Sequence, residues 1–272
     1  MRFDNVWFLS DYGLEDEFVG VVKAVIRAIA PHVTVGDVTH QIPPHDIRAG
    51  ALALARSMQY LTLVPSVILA VVDPGVGSDR RALAVEAGGA DGEPATALLV
   101  GPDNGLLMPA AKALGFVRAR GLANRALWRD EVSATFHARD VFGPVAAHLD
   151  RGTPARDVGP EVSDAQPLDF GLAREEAGEL VAEVAFLDSF GNCVTNISAA
   201  LARAALREGA LARVSWAGGA VDARFVRTYA DGSAGEPLLL VGSAGFLEIA
   251  IARGNFAEQS GLEVGMEVRL RA

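Results

Sequence analysis

Two aspartates follow apolar segments in the first third of the chain. Asp11 comes just after the apolar run VWFL, and Asp73 ends the segment SVILAVVD. Ligands of parallel sheets bind beyond the carboxyl ends of the strands, so both carboxylates are expected at one edge of a sheet. The segment DPGVGSDR has the Pro and Gly content of a turn and returns the chain through Arg80 and Arg81. An Asx turn is the alternative for Asp11, and the pair of strand-end carboxylates favours a binding site.

Two further carboxylates and one histidine occur at the predicted starts of helices. Asp16 precedes an amphipathic segment, where it could cap free backbone N–H groups or contact a ligand. In ATFHARDVFGPVA, His137 and Asp140 surround the start of another helix. Histidine is suited to proton transfer near neutral pH, but a lone histidine is more often structural or on the surface, and these residues alone favour that interpretation. Asp140 is expected to cap its helix, with Arg139 pairing nearby.

A polar segment in the second half of the chain could bind a heterocycle. LDSFGNCVTNIS contains Asp188, Phe190 and Asn192, and an aromatic ring beside amide groups suits stacking and paired hydrogen bonds. The alternative is a polar turn with one core phenylalanine. The later segment 241–257 is predicted to be a hairpin with a loop where a ligand could approach the backbone.

Several common kinds of site are absent from the sequence. There is no G-x-x-x-x-G-K-[ST], no G-x-G-x-x-G and no G-x-S-x-G. His40 and His45 flank a Pro-Pro turn, Cys193 stands alone, and no H-E-x-x-H occurs, so no metal is expected. Spacing does not exclude a two-aspartate metal site at Asp11 and Asp73.

Strands alternate with helices over the first 150 residues. NVWFLS, VTVGDVT, SVILAVVD, ALAVEA and ATALLVG have strand character, whereas EFVGVVKAVIRAIA and DIRAGALALARSMQY have helical spacing. Further helices are expected near 106–114 and 140–150. The alternation predicts an α/β domain with a largely parallel sheet covered on both faces, assigned to residues 1–165.

The pattern changes after residue 150. Pro, Gly and acidic residues are frequent up to about residue 178, and a linker is assigned to residues 166–178. Short strand-like segments separated by turn signals then predict a smaller all-β, barrel-like domain over residues 179–272. These segments are LVAEVAFLD, RVSWAGGAV, RFVRTYA, PLLLVGS, FLEIAIA and MEVRLRA.

Composition narrows the class of protein. Half of the 272 residues are hydrophobic, and no apolar stretch reaches 18 residues, so a membrane-spanning helix is not expected. The formal charge of -10 argues against a nucleic-acid partner, which needs clustered Lys and Arg. The N-terminus shows no signal-peptide pattern, and a single cysteine fits a reducing compartment, so a cytoplasmic location is expected.

Seven segments, taken together and in order, resemble one family. They are FLSDYGLEDEFVG, THQIPPHDIRAGA, VVDPGVGSDRR, VGPDNGLL, FHARDVFGPVAA, DSFGNCVTN and GSAGFLEIAIARGNFA, and they span residues 8–257. The chain is similar to the S-adenosylmethionine hydroxide adenosyltransferases, relatives of the fluorinase and chlorinase. The resemblance implies attack of water or hydroxide on C5′ of S-adenosylmethionine, giving adenosine and L-methionine without a cofactor. It also implies a homotrimer, with substrate between one subunit's N-terminal domain and its neighbour's C-terminal domain.

The resemblance further implies a role for individual residues. The reacting set would be Asp73, Arg80 and His137, whose carboxylate and imidazole could accept or relay a proton while the arginine favours a hydroxide-like oxygen. The implied substrate contacts are Asp11 to the ribose, Asp16 and Asp188 to the methionine ammonium, Phe190 and Asn192 to adenine, backbone groups at Asn255 and Phe256 to the adenine edge, Ser243 to the methionine carboxylate, and Ala138 at the nucleophile pocket.

Two positions distinguish hydrolysis from halogenation within this resemblance. The halogenases place serine where Ala138 stands and lack the aspartate at Asp73, so both positions favour hydrolysis. His45 stands where an aromatic residue lining the pocket is expected, and Ala244 offers no charged partner to the methionine carboxylate. The alternatives to a hydrolase are a non-catalytic sensor of S-adenosylmethionine or adenosine, a halogenase, and a metal-dependent phosphohydrolase.

Overall fold

The chain divides into two compact units, Met1–Asp169 and Phe170–Ala272. The computed structural model describes residue 3, residues 5–89 and residues 94–272. The helices of the first unit are α1 (Phe18–Ile29), α2 (Ile47–Leu61), α3 (Met108–Leu114) and α4 (Gly143–Asp150). Its strands are β1 (Asn5–Ser10), β2 (Thr34–Thr39), β3 (Ser66–Val71), β4 (Ala82–Ala87), β5 (Ala97–Pro102), β6 (Phe116–Gly121) and β7 (Glu161–Val162).

The strands of the first unit form one mixed sheet in the order β2-β1-β3-β5-β4-β6-β7. Strands β2, β1, β3 and β5 are parallel, and β4, β6 and β7 pair antiparallel at the other side. Strand β3, SVILAV, is buried along its whole length, as expected for a central strand covered on both faces. The predicted α/β domain is confirmed.

Helices cover both faces of this sheet. On one face, α1 and α4 pack against alternate strand residues in one hydrophobic core, to which α1 contributes Val22 and Ile26, and α4 contributes Val145. On the other face, α2 and α3 pack against each other and contact the sheet. Only one face of α1 packs against the core, which explains why the apolar residues of this helix recur at helical spacing.

The sheet brings the ends of β1 and β3 together. The two strands are adjacent and parallel, with Ser10 paired to Val71. Asp11 and Asp73 follow these two strand ends, so they lie at the same edge of the sheet. The expected placement of the two carboxylates is confirmed.

The second unit is built around a closed barrel. Its strands are β8 (Arg174–Glu176), β9 (Glu179–Leu187), β10 (Cys193–Ser198), β11 (Leu211–Trp216), β12 (Gly219–Phe225), β13 (Pro237–Val241), β14 (Phe246–Ile251) and β15 (Glu267–Arg271). The order is β10-β14-β13-β12-β11-β15-β9, and a pairing of β10 with β9 closes the barrel. Strand β8 extends β9 at the edge, and helices α5 (Ala199–Ala205) and α6 (Phe256–Ser260) complete the unit. The predicted barrel is confirmed.

The structure has ordered elements where the sequence pattern is weakest. Strand β8, with the sequence REE, falls inside the predicted linker 166–178, because three charged residues at a sheet edge lack the apolar alternation that marks a strand. Strand β10 and helix α5 were likewise not assigned from the pattern. Among the described residues, no helix has both the length and the apolar character needed to cross a membrane.

Candidate active site

Asp73, Arg80 and His137 form one bonded group. Nε of Arg80 donates to Oδ1 of Asp73 at 2.8 Å, and Nη2 of Arg80 donates to Oδ2 of the same carboxylate. Nη2 also lies 2.9 Å from Nδ1 of His137. The Arg80 and Asp73 side chains are only 11% and 6% exposed, so this fork-shaped ion pair is largely removed from solvent.

The turn after β3 makes this grouping possible. The N–H of Val76 donates to the carbonyl of Asp73 at 3.2 Å, which reverses the chain. Gly77 has a φ of 79°, and a Cβ at this position would overlap the carbonyl oxygen of Ala134. A residue without a side chain is required there, because only then does the turn approach the segment that carries His137.

The hydrogen bond from Arg80 determines the state of the His137 ring. A guanidinium can only donate, so Nδ1 of His137 must accept, and the neutral ring carries its hydrogen on Nε2. Burial, and next the charge of Arg80, lower the pKa of His137 below the usual histidine value, while Asp73 and Asp140 act in the opposite direction. A neutral imidazole with an Nε2–H donor is therefore expected at neutral pH.

Asp11 is held by the backbone of the loop before α2. Its Oδ2 accepts a hydrogen bond from the N–H of His45 at 2.9 Å. His45 adopts a φ of 67°, a left-handed conformation that is uncommon for a residue other than glycine. The strain at His45 points its N–H toward Asp11 and leaves the other carboxylate oxygen for a ligand.

Behind Asp11 runs a chain of polar side chains that the sequence analysis did not single out. The hydroxyl of Ser10 lies 2.7 Å from Nδ1 of His40, whose Nε2 lies 2.9 Å from Oδ1 of Asp37, and Nζ of Lys23 lies 2.6 Å from Oδ2. Partial burial disfavours the charged carboxylate, but Lys23 and His40 together lower the pKa of Asp37. Ser10 and His40 are almost completely buried. The spacing of Asp37 and His40 in VGDVTH carried no recognisable signal.

Neither of the two carboxylates considered as helix caps, Asp16 and Asp140, serves as one. The N-cap of α1 is Glu17, which makes no side-chain capping bond, and Asp16 lies exposed just before it. Asp140 is completely buried inside a π-helical turn, Ala138–Phe142, so the capping interpretation is wrong for it. The reason is local: the side chain folds back onto its own loop, where Arg139 donates two hydrogen bonds, at 2.7 and 2.8 Å, as the expected pairing of the two predicts.

Asp140 instead anchors the loop that precedes His137. Its Oδ2 accepts the N–H of Ser133 at 2.9 Å, and Arg129 adds a third cationic contact at 3.3 Å. Burial alone would raise the pKa of Asp140, but Arg139, the Ser133 N–H and Arg129 lower it below the usual value. A charged, fully hydrogen-bonded Asp140 thus holds both ends of the loop 133–140.

A cavity of about 490 Å³ opens among these groups. Asp73 and His137 line it together with Asp11 and Ala138, whereas Arg80 holds two of its walls without lining it. The complete lining consists of Asp11, Tyr12, Phe18, Pro44, His45, Asp73, Val76, Ser133, Thr135, Phe136, His137, Ala138 and Arg139. The structure therefore brings five of the residues expected at the site, Asp11, Asp73, Arg80, His137 and Ala138, into one group.

Three aromatic residues of the cavity were missed by the sequence analysis. Tyr12, Phe18 and Phe136 lie with ring centroids 5.4 to 5.9 Å apart and ring planes inclined by 59° to 82°. Burial, with the nearby charges of Asp11 and Asp73, raises the pKa of Tyr12 and keeps its hydroxyl protonated. Their only sequence signal was proximity to Asp11, Asp16 and His137, because aromatic residues are equally common in cores.

The second unit holds its own group of predicted site residues. Oδ1 of Asp188 accepts the N–H groups of Phe190 and Asn192, each at 2.9 Å, and Oδ2 accepts Nδ2 of Asn192 at 2.8 Å. This bonding makes the tight polar turn that was the alternative interpretation. The Phe190 ring, however, is 76% exposed and is not part of the core.

The loop around Asn255 lies against that turn. The carbonyl of Gly191 accepts the N–H of Ala257 at 2.9 Å, and the side chain of Asn255 caps α6 by accepting the N–H of Glu258 at 2.9 Å. Phe256 is buried and packs edge-to-face on Trp216, 6.0 Å away, so only its backbone could reach a ligand. Ser243 is exposed in the turn between β13 and β14.

Tyr229 and Glu248 extend this second group and were also missed. Nδ2 of Asn192 donates to the Tyr229 hydroxyl at 3.3 Å, and that hydroxyl donates to the buried carboxylate of Glu248. Burial, together with Glu248, raises the pKa of Tyr229. Both amide hydrogens of Asn192 therefore have acceptors in the protein, which fixes the orientation of its side chain.

Metal ligands are not clustered in the part of the chain that the structure describes. Within residues 5–89 and 94–272, no group of three or more His, Cys, Asp or Glu side chains could hold a metal ion. Asp11 and Asp73 line one cavity, but Asp73 is paired with Arg80. The hydrogen-bonding groups that line this cavity, the carboxylates of Asp11 and Asp73 and the ring of His137, suit a polar organic ligand.

Comparison with known proteins gives consistent matches over nearly the whole chain. The model of the SAM hydroxide adenosyltransferase N-terminal domain matches residues 6–159, and that of the C-terminal domain matches residues 182–269. A relative named (R)-S-adenosyl-L-methionine hydrolase from Salinispora tropica is 44% identical, with 97% of both chains covered. One of the same name from Thermus thermophilus is 42% identical, with 97% of this chain and 98% of the relative covered. A fluorinase from Actinoplanes is 27% identical, with 96% and 95% covered.

Solved structures show the same similarity. An uncharacterized conserved protein from Thermotoga maritima superposes with a TM-score of 0.91 at 34% identity, covering 98% of this chain and 100% of the other. A conserved hypothetical protein from Thermus thermophilus superposes with a TM-score of 0.76 at 41% identity, covering 99% and 100%. The fold and the order of the site-bearing segments are thus shared across whole chains.

Proposed function

This chain belongs to the SAM hydroxide adenosyltransferase family, and from that premise we propose that it hydrolyses S-adenosyl-L-methionine to adenosine and L-methionine. Relatives that are 41 to 44% identical over nearly the whole chain are named as hydrolases of this compound. The observation that carries the proposal is the bonded group of Asp73, Arg80 and His137 beside the cavity that Asp11 also lines.

The leaving group of this reaction needs no activation by the enzyme. A sulfonium departs as a neutral thioether, so the enzyme has only to place an oxygen nucleophile in line behind C5′ and limit its exposure to bulk water. The O–C5′ bond forms, the C5′–S bond breaks with its electron pair going to sulfur, and one proton leaves the water. No cofactor enters this balance, and we propose that none is used.

Asp73 and His137 have different roles toward the water molecule: His137 orients it, and Asp73 accepts its proton. Nδ1 of His137 is occupied by Arg80, so the ring offers Nε2–H as a donor that orients the oxygen. Asp73, which lines the cavity, is the acceptor for the departing proton. Arg80 keeps both groups in place, fixes the histidine tautomer and adds a positive charge that favours a hydroxide-like oxygen.

Substrate contacts follow from the remaining residues. Asp11 would accept from the ribose hydroxyls, and Asp16 would meet the methionine ammonium. Ala138, which is buried in the cavity wall, leaves room for the water where a larger polar side chain would bind halide. From the second unit, Asp188 would contact the ammonium, Phe190 and Asn192 the adenine, Ser243 the methionine carboxylate, and backbone groups at Asn255 and Phe256 the adenine edge.

We also propose that the protein is a cytoplasmic homotrimer in which the second unit of one copy completes the cavity of another. The ring of Phe190 and the carboxylate of Asp16 are both exposed in the single chain, as groups that meet a ligand between two copies would be. The lone, buried Cys193 fits a reducing compartment.

The test of the reaction uses the purified protein with S-adenosyl-L-methionine in water labelled with heavy oxygen. Adenosine and methionine are expected in equal amounts, with the label in the 5′-hydroxyl of adenosine and no effect of chelator. Label in another product, 5′-chloro-5′-deoxyadenosine in the presence of chloride, or loss of activity with chelator would contradict the proposal. Tight binding without any turnover would favour the sensor.

Shared sites are tested by co-expressing two inactive variants, Asp73→Asn and Asn192→Ala. If each site combines two copies, some sites in mixed trimers regain both intact units, and activity returns. Activity that stays absent in mixtures of demonstrated mixed composition contradicts the shared site, and a sedimentation mass other than three chains contradicts the trimer.

A further inference from the structure

A sulfonium group poses a particular problem of recognition. It carries a positive charge but no hydrogen that could be donated, since three alkyl groups surround the sulfur. Hydrogen-bond acceptors therefore cannot grip it as they grip an ammonium. Cations of this kind are bound by the faces of aromatic rings, as quaternary ammonium ligands are.

Three rings of suitable kind stand together in the cavity. The Phe18 and Phe136 centroids are 5.4 Å apart with planes at 82°, and Tyr12 lies 5.9 Å from each of them. All three side chains line the cavity. Phe18 is 39% exposed, so burial in the core does not account for an aromatic residue there.

The position of these rings relates them to the reacting centre. Tyr12 directly follows Asp11, and Phe136 directly precedes His137, so the rings line the same cavity as the proposed ribose contact and the proposed reacting group. In-line attack requires the sulfur on the side of C5′ opposite the water, within the same cavity. The nearby cation of Arg139, 5.1 Å from the Phe136 ring, is balanced by its two hydrogen bonds to Asp140.

We infer that Tyr12, Phe18 and Phe136 form an aromatic wall that selects the positively charged sulfonium over neutral adenosyl thioethers. This inference rests on the proposed function, because it concerns the same cavity. Its consequence is directional: the wall attracts the charged substrate and loses that attraction when the sulfur becomes neutral. The neutral thioether of the product L-methionine is therefore bound more weakly than the sulfonium of the substrate, which favours release of the product.

The experiment compares two ligands that lack a sulfonium leaving group. One is S-adenosyl-L-homocysteine, which has a neutral sulfur; the other is the analogue in which a methylated amine, protonated at mildly acidic pH, replaces the sulfonium. Dissociation constants of both are measured by titration calorimetry for the unaltered protein and for Phe18→Leu, Phe136→Leu and Tyr12→Phe. Val76→Ala is the matched control, because it removes apolar contact from the same cavity without removing a ring.

The two leucine variants are expected to weaken binding of the charged analogue about three- to tenfold more than binding of the neutral thioether. Tyr12→Phe keeps the ring and should keep the preference, and Val76→Ala should affect both ligands equally. Equal losses for both ligands in the leucine variants would overturn the inference. Phe18 is partly exposed, so its variant remains informative if Phe136→Leu fails to fold.

The outcome is separable from that of the proposed function. If the protein binds both ligands with the expected preference but releases no adenosine from S-adenosyl-L-methionine, the inference about the aromatic wall stands and the proposed hydrolase activity is refuted. If S-adenosyl-L-methionine is hydrolysed but the charged analogue is not preferred, the proposed hydrolase activity stands and the inference about the aromatic wall is refuted.

Discussion

Nδ1 of His137 accepts a hydrogen bond from Arg80 across 57 residues of sequence, with the two nitrogens 2.9 Å apart. The same guanidinium grips Asp73 through two bonds. The histidine is thereby held neutral, with its remaining hydrogen on Nε2. An arginine that does not line the cavity thus holds two groups that do, and it fixes the tautomer of one of them.

Asp73→Asn and His137→Ala are expected to separate binding from turnover. Because neither side chain is assigned to substrate binding, the dissociation constant for S-adenosyl-L-methionine should stay within about threefold, whereas kcat should fall by about 10²- to 10⁴-fold. Calorimetry and chromatographic product assay measure the two quantities. The control is Asp79→Asn, an exposed carboxylate in the same turn. Parallel losses of binding and turnover in both variants would show that the roles are misassigned.

The pH dependence of turnover should follow the lowered pKa of His137. The ring is neutral above that pKa, and protonation at Nδ1 on acidification removes the acceptor for Arg80. We therefore expect kcat to fall on the acid side with an apparent pKa below the usual histidine value of 6.5. Activity that is already lost above that value would contradict this assignment.

Replacing Arg80 by methionine should raise the pKa of His137, because the cation that opposes protonation is gone and Asp73 is left unpaired. NMR titration of the ring signals measures this directly. His148 is an internal reference, since its own pKa is lowered first by burial and then by Arg151. A His137 titration that does not move relative to that of His148 would rule out the electrostatic role of Arg80.

Asp11→Ala should weaken substrate binding itself. The carboxylate is assigned two sugar hydroxyls, and hydrogen bonds to a charged group contribute about 1.5 to 3 kcal/mol, so the dissociation constant should rise by about 10- to 100-fold. Glu15→Ala, which removes an exposed carboxylate from the same loop, should leave it unchanged. Unaltered affinity in the Asp11 variant would exclude the ribose contact.

His40→Ala should destabilise the first unit. It removes a buried ring and the hydrogen bond between that ring and the hydroxyl of Ser10, which costs about 2 to 4 kcal/mol of the free energy of unfolding. Urea unfolding measures the loss, with the exposed neighbour Gln41→Ala as the control. An unchanged midpoint would show that the chain from Lys23 to Ser10 contributes nothing to stability.

Gly77→Ala should abolish turnover through the backbone. The new methyl would overlap the carbonyl of Ala134 and force the turn that carries Arg80 away from His137. Gly115→Ala is the matched control, since that glycine also has a positive φ, 93°, but a Cβ there meets no neighbouring atom. Turnover that falls equally in both variants would point to backbone strain alone rather than to the displaced turn.

Local patterns in the chain were enough to predict the fold class and the edge of the sheet at which the cavity opens. Apolar runs such as SVILAV specify buried strands, and a polar residue just beyond each parallel strand must come to the same edge, as Asp11 and Asp73 do. Seven segments in order indicated the family. These inferences succeed because each rests on local spacing or on an ordered set of short motifs.

Which side chains meet could be learned from the folded chain alone. Five features depend on contacts between segments far apart in sequence. They are the position of Arg80 outside the cavity lining, the histidine tautomer, the burial of Asp140, the polar chain behind Asp11 and the aromatic wall. Side-chain direction at a loop is set by packing and hydrogen bonding with those distant segments, which local periodicity does not encode. The sequence shows the type of each residue, whereas its contact partners are set when the folded sheet brings distant segments together.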